Sequence, residues 1–262
     1  MLVKILKEAF RPFTFRGKAR LLHAVSPKQG EQTVNIFGYS IDLDLADYIQ
    51  RSIYLNTFEE HESSLVKGYL KRGMTFVDVG ANVGYYTLMA ASLVGAEGKV
   101  LAFEPSPYAF GRLESAIKKN SLAQVHVAQV GLSDAAGELQ LYIRETIGNH
   151  TPSMLANEGG TPINVPVRRL DDYLRAAGVD HVDLMKIDVE GFEPNVIRGA
   201  GGYLKTGKIR AILCEFNNYW LEANNIKPSQ LYEEIIQQGY QLANGKPDFN
   251  VGLQNLFFTL RS

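Results

Sequence analysis

A glycine-rich turn follows the first strongly β-branched run of the chain. The segment reads VDVGANVG over residues 77–84. Gly80 lets the chain turn sharply, Gly84 lets the following helix lie close to the strand, and the missing Cβ at both positions lets a ligand approach the backbone. Asp78 offers a carboxylate to a cationic amine. About twenty residues beyond the turn, Glu104 ends the next predicted strand, where an acidic side chain accepts hydrogen bonds from both ribose hydroxyls. The pattern predicts a nucleoside-binding site.

Two classes of ligand are compatible with a glycine-rich turn after one strand and an acidic residue at the end of the next strand. A dinucleotide site requires G-x-G-x-x-G, and here Asn82 and Tyr85 occupy the second and third glycine positions counted from Gly80. Their side chains intrude where a pyrophosphate needs bare backbone. S-adenosylmethionine has no phosphate and therefore fits this turn better, with an NAD-dependent oxidoreductase as the alternative.

The adenine end of this ligand is expected beyond the third strand, in Gly131-Leu132-Ser133-Asp134. Ser133 or Asp134 would bond the adenine amino group, and the alternative is a plain turn before the next strand. The expected cofactor-binding residues are Asp78, Gly80, Ala81, Asn82, Gly84, Tyr85, Glu104, Pro105, Ser133 and Asp134.

Candidate catalytic residues lie in the segment LMKIDVEG, in which Lys186 and Asp188 share one face of a strand. A charged pair inside an apolar strand is costly unless it is paired or functional. The functional interpretation makes Asp188 the general base, or the residue that orients it, with Glu190 assisting. The structural alternative is a Lys–carboxylate bridge that anchors the turn.

Other groups compete for the role of base. His150 lies in a long loop expected to cover the site, and its ordinary titration range suits a base at neutral pH, although a lone loop histidine is usually solvated. Asp188, Glu190 and Glu215 could instead supply oxygen ligands to a divalent cation, but no ligand spacing demands a metal. Tyr85, Tyr86, Tyr219 and Trp220 could line an apolar acceptor pocket or simply belong to the core.

The elements that position these residues alternate between strands and helices. Strands are predicted at 75–80, 99–105, 124–131, 181–191 and 208–216, each followed by a helix or turn, which favours a parallel sheet with helices on both faces. An insertion at 135–169 holds strands near 138–143 and 163–170. Residues 1–55 form an N-terminal arm and a small extension, in which LLHAV, TVNIFG and YSIDLDL alternate like strands, and 56–262 form the main domain.

Composition narrows the function classes. The 27 basic and 28 acidic side chains give a formal net charge of -1, which argues against a nucleic-acid footprint. The lone cysteine, Cys214, excludes an internal disulfide and a multi-cysteine zinc site and suggests a cytoplasmic setting. No apolar run reaches the length of a membrane span. The basic, amphipathic residues 1–20 are expected to pack on the domain or a second subunit, with weak peripheral membrane contact as the alternative.

Five segments together resemble the motif set of FkbM-type methyltransferases: FVDVGANVGYYTLMAA, LAFEPSPYAFGRL, VGLSDAAGELQLY, RRLDDYL and VDLMKIDVEGFEPNVIRGA. The resemblance runs from about residue 55 to 216. It implies a class I methyltransferase fold, which is a Rossmann-like α/β fold whose seven-stranded sheet ends in an antiparallel strand. It also implies O-methylation of a hydroxylated sugar or secondary metabolite. N-methylation and a catalytically silent binding module remain alternatives.

Overall fold

The computed structural model of the protein describes residues 17–143, 152–153, 161–243 and 245–261. The helices are α1 (Lys18–Val25), α2 (Tyr48–Leu55), α3 (Glu60–Tyr69), α4 (Tyr85–Val94), α5 (Pro107–Lys119), α6 (Leu170–Ala176), α7 (Glu193–Gly199), α8 (Gly201–Lys205), α9 (Asn218–Ala223) and α10 (Pro228–Gln237). The strands are β1 (Glu31–Ile36), β2 (Tyr39–Asp44), β3 (Thr75–Val79), β4 (Lys99–Phe103), β5 (Val125–Ala128), β6 (Gly131–Leu132), β7 (Gly137–Ile143), β8 (Pro152–Ser153), β9 (Thr161–Arg168), β10 (Val182–Ile187), β11 (Ile209–Asn217), β12 (Tyr240–Leu242) and β13 (Leu253–Leu260).

Seven strands form the central sheet in the order β12-β13-β11-β10-β3-β4-β5. The ladders from β11 to β5 are parallel, and β13 runs antiparallel to both β11 and β12. Strands β3 and β10 are buried along their whole length, as expected of central strands covered by helices on both faces. The predicted α/β sheet with an antiparallel last strand is confirmed.

Alternate residues of the central strands point into two separate apolar cores. Phe76 and Leu184 pack on one face of the sheet, together with Leu88 of α4. Val77 and Met185 pack on the other face. Because the parallel strands β3, β4, β10 and β11 end at the same edge of the sheet, the loops that follow them meet there, which is where ligands bind in such folds.

The insertion forms a second sheet in the order β6-β9-β7-β8, with β7 and β9 antiparallel. The two strands predicted in this insertion are therefore present at Gly137–Ile143 and Thr161–Arg168. His150, proposed from the sequence as a candidate base, lies outside the described residues.

The N-terminal extension corrects one expectation. The strand-like segment LLHAV belongs to helix α1, because five alternating residues are too few to distinguish a strand from a helix that buries one side. Its Leu22 is buried in the same core as Phe76 and Leu88, so the extension shares one apolar core with the central sheet. The domain boundary at residue 55 remains a prediction. Within the described ranges, no helix is both long and apolar enough to span a bilayer.

Candidate functional site

A cavity of about 460 Å³ opens at the carboxyl ends of β3, β4, β10 and β11. Its volume falls within the range of small-molecule sites. The predicted site residues that line it are Gly80, Ala81, Asn82, Tyr85, Glu104, Pro105, Lys186, Asp188 and Glu190. The predicted residues that are described but do not line it are Asp78, Gly84, Ser133 and Asp134.

Close backbone contacts fix the turn after β3. The amides of Gly80 and Ala81 both donate to the carbonyl oxygen of Phe103 at 3.0 Å, which ties the turn to the tip of β4. Gly80 has φ +81°, and a Cβ added there would lie 1.8 Å from the carbonyl oxygen of Asp188. Only glycine therefore allows the tips of β3 and β10 to lie this close.

Gly84 has a different packing role from the one expected. It precedes α4 with φ +98°, and a Cβ added there would lie 2.7 Å from Cδ1 of Leu113 in α5. The missing side chain therefore admits the neighbouring helix, whereas the sequence suggested contact with the preceding strand. Gly84 supports the turn without lining the cavity.

Glu104 is a buried carboxylate held from two sides at the tip of β4. Its Oε2 accepts the amide N–H of Asn82 at 2.8 Å, and its Oε1 accepts that of Ser106 at 2.8 Å. Each oxygen keeps a second lone pair for a ligand hydroxyl. Burial raises the pKa of Glu104 to about 7, although the two amide donors act in the opposite direction.

Asp78 lies beneath the cavity. The Thr87 hydroxyl of α4 donates to its Oδ2 at 2.6 Å, while the buried Oδ1 has no hydrogen-bond partner. Burial raises the pKa of Asp78, and the charge of Lys186, its neighbour in the β3–β10 register, opposes that shift. Direct contact between Asp78 and a cofactor amine remains a prediction.

Lys186 and Asp188 form the ion pair that the period of two predicted. The Lys186 ammonium donates to Oδ2 of Asp188 at 2.7 Å and lies 4.6 Å from the centre of the Tyr86 ring. Both side chains line the cavity, but that of Lys186 is only 3% exposed, whereas that of Asp188 is 23% exposed. Burial alone would lower the pKa of Lys186, but the carboxylates of Asp188, Glu59 and Asp78 raise it.

Sequence reasoning missed Glu59. This residue precedes α3 with φ +40°, lines the cavity and accepts a 2.5 Å hydrogen bond from the Tyr86 hydroxyl. Burial raises its pKa to about 7, while Lys186 opposes the shift. The only sequence signal was the acidic start of a helix, which ordinarily indicates a favourable interaction with the helix dipole.

Glu190 and Glu215 occupy the β11 end of the cavity. Burial is the main cause that raises the pKa of Glu190 to about 8, and repulsion from Asp188 and Glu193 adds to it. Burial and repulsion from Asp188 and Glu190 also raise the pKa of Glu215. The Oε2 atoms of Glu190 and Glu215 are enclosed and have no hydrogen-bond partner. Within the described residues, no three His, Cys, Asp or Glu side chains are arranged to hold a metal ion.

Ser133 and Asp134 bond to protein groups outside the cavity. The Ser133 hydroxyl donates to Oδ1 of Asp134 at 3.1 Å, and the Arg169 guanidinium donates to the Asp134 carbonyl oxygen. A Cβ on Gly199 of α7 would lie 2.1 Å from the carbonyl oxygen of Ser133, so this helix packs tightly on the segment. The preceding residues Val130, Gly131 and Leu132 line the cavity instead. Adenine contacts by Ser133 or Asp134 stay a prediction.

The chain is similar in sequence to known proteins. A family model described as the methyltransferase FkbM domain matches residues 78–242. The chain is 31% identical over 177 residues to methyltransferase sdnD of Sordaria araneosa, covering 56% of this chain and 67% of that protein. It is 28% identical over 157 residues to 2-O-methyltransferase NoeI of Sinorhizobium fredii, covering 54% of this chain and 63% of that protein. About a third of each relative is therefore unmatched.

A solved structure supports the fold alone. It comes from Clostridium thermocellum and is provisionally described as an rRNA methylase. It matches 77% of this chain and 94% of its own, with a TM-score of 0.52 and 14% identity.

Proposed function

The chain belongs to the FkbM family of S-adenosylmethionine-dependent methyltransferases and has the class I fold, and on this premise we propose that it methylates a hydroxyl of a small molecule. The observation that carries the proposal is the position of Asp188. Its carboxylate lines the same cavity as the glycine turn and Glu104 and is oriented by a buried lysine. Family membership removes the NAD-dependent alternative.

The residues around the turn fit S-adenosylmethionine. Glu104, already fixed by two backbone amides, would accept hydrogen bonds from the ribose hydroxyls. The backbone of Gly80 and Ala81 lines the cavity where the methionine end of the cofactor would lie. Val130 and Leu132 offer apolar surface to its adenine ring. When bound, the cofactor supplies an electrophilic methyl carbon on its sulfonium.

Asp188 would act as the general base. An alkyl hydroxyl is a poor nucleophile, so a carboxylate that accepts its proton as the new bond forms accelerates transfer. Lys186 binds Oδ2 of Asp188 and leaves Oδ1 for the acceptor hydroxyl. The Tyr86 ring packs beside the Lys186 ammonium, and the Glu59 carboxylate accepts a hydrogen bond from the Tyr86 hydroxyl, so these two residues help to orient the lysine toward Asp188.

Transfer to oxygen is further supported by a relative. NoeI, with which the chain is 28% identical over 157 residues, is named as a 2-O-methyltransferase. The balanced charge of the chain also favours a small molecule over nucleic acid as the acceptor.

Methyl transfer from isotopically labelled S-adenosylmethionine to hydroxylated compounds tests the proposal, with the methylated atom identified by NMR. We expect Asp188→Asn, which keeps its shape and a contact with Lys186, to lower kcat roughly 10²- to 10⁴-fold with little change in cofactor affinity. Asp172→Asn, at an exposed position of α6, is the matched control. Wild-type turnover by Asp188→Asn, or product methylated only on nitrogen, would refute the proposal.

A further inference from the structure

Two carboxylates that line the cavity have no role in the proposed methyl transfer. Glu215 near the end of β11 is 8% exposed, lines the cavity and has an enclosed Oε2 without a hydrogen bond. Glu190, expected from the sequence to assist the base, has an Oε2 in the same situation. An enclosed carboxylate oxygen is unfavourable unless a ligand compensates it.

The turn that carries Glu190 is built into the fold. Glu190 adopts φ +52°, a left-handed conformation that costs free energy in a residue other than glycine. The next residue, Gly191, lies so close to α9 that an added Cβ would be 2.6 Å from the carbonyl oxygen of Trp220. The Trp220 side chain lies close enough to the Glu190 carboxylate to oppose the rise in its pKa. The side chain is thus held in place, unlike a solvated surface carboxylate.

The charges around the cavity do not balance. Its described lining contains five carboxylates, and Lys186 is the single basic residue among them. That ammonium binds Asp188 at 2.7 Å, and its charge offsets only part of the mutual repulsion that helps to raise the pKa of Glu190 and Glu215. Neutral hydroxyls would satisfy the oxygen atoms but would not relieve this repulsion. An organic cation does both.

We propose that Glu190 and Glu215 bind a protonated amine of the acceptor, so that the substrate is an amino alcohol such as an amino sugar, an aminocyclitol or a hydroxy amino acid. The proposal rests on the proposed function, because it names the acceptor class of the same cavity. In this arrangement the carboxylates hold the ammonium, and Asp188 faces a neighbouring hydroxyl.

Paired probes that differ in the amine test this subsite. The full chain, saturated with S-adenosylhomocysteine, is titrated with glucosamine and glucose, with streptamine and scyllo-inositol, and with homoserine and hydroxybutyrate. A charge-assisted hydrogen bond in an enclosed site predicts that the amine member of at least one pair binds roughly 10- to 100-fold more tightly than its neutral counterpart. Because the free Glu190 has a pKa of about 8, capture of an ammonium at pH 7 also releases protons, measurable by calorimetry in two buffers.

Two separate variants, Glu215→Gln and Glu190→Gln, should each reduce that preference about tenfold or more and leave affinity for S-adenosylhomocysteine within about twofold. Glu222→Gln, an exposed position in the same helix as Trp220, should leave both unchanged. Equal binding of amine and neutral probes, binding of none, or a large loss of cofactor affinity in either variant would overturn the subsite. Amine-selective binding with the methyl delivered to nitrogen, or with no transfer, would support the subsite while refuting O-methylation.

Discussion

Replacing Gly80 with alanine tests whether contact between the tips of β3 and β10 organises the site. The new Cβ would lie 1.8 Å from the carbonyl oxygen of Asp188, and real contacts of this kind essentially never fall below 3.0 Å. The difference, 3.0 minus 1.8, requires a displacement of at least 1.2 Å. Because the obstacle is backbone, the displacement must move the segment that carries Asp188.

Gly73 supplies a matched control. Its φ of +79° nearly equals the +81° of Gly80, but a Cβ on Gly73 meets nothing within 4 Å. Both alanine variants therefore acquire the same backbone strain, roughly 1–2 kcal/mol. Gly80→Ala adds the steric overlap, about 1–3 kcal/mol or more. Chemical denaturation should thus show a loss of about 1–2 kcal/mol for Gly73→Ala and about 2–5 kcal/mol for Gly80→Ala.

The effect on methyl transfer should be larger than the effect on folding. A misplacement of about 1 Å between reacting groups can lower the rate about 100-fold. Under conditions where both variants are folded, Gly80→Ala should lose about two orders of magnitude in kcat, and Gly73→Ala should retain wild-type turnover. Equal stability losses together with normal turnover by Gly80→Ala would show that the close approach has no role in catalysis.

Three further variants probe the buried charges. Glu104→Gln should weaken S-adenosylhomocysteine binding about 10- to 100-fold in calorimetry. The wild type should also lose affinity as the pH falls below about 7, where Glu104 becomes protonated, and the variant should not show this pH dependence. Lys186→Met leaves several buried carboxylates uncompensated, so denaturation at pH 8 should show a loss of about 3–5 kcal/mol that shrinks at pH 5 as the neighbouring carboxyls gain protons. Glu215→Gln should raise Tm at pH 8 but not near pH 4, because a carboxyl with a raised folded-state pKa costs stability only above its unfolded pKa.

Local patterns predicted the parts of the site that depend on neighbouring residues. Strand periodicity placed Lys186 and Asp188 on one face, and they form an ion pair. The spacing from the glycine turn placed Glu104 at the tip of the adjacent parallel strand, where it bonds the Asn82 amide. Both inferences need only a strand period and the rule that parallel strands end at a common edge.

Other features depend on packing between distant segments. A hydrogen bond joins Glu59 to Tyr86, 27 residues further along the chain, and no local sequence pattern predicts that these two residues meet. Asp78 turns toward Thr87 because α4 covers that face of β3. The backbone of Ser133 lies against α7 at Gly199, where a Cβ would leave no room for it. In each case a helix positioned by tertiary packing decides which groups the residue contacts.

Unfavourable features concentrate around the cavity. Three of the seven described non-glycine residues with positive φ line it, namely Glu59, Asn82 and Glu190, and each is held by neighbouring groups. Burial also raises the pKa of Glu59, Glu104 and Glu190 into the neutral range, so the free protein should lose stability as pH rises from about 5 to 8. Ligands that donate hydrogen bonds or positive charge to these carboxylates bind their ionised forms. Their stabilising effect should therefore increase over the same pH range, because the charges that oppose folding are those that would recognise the substrates.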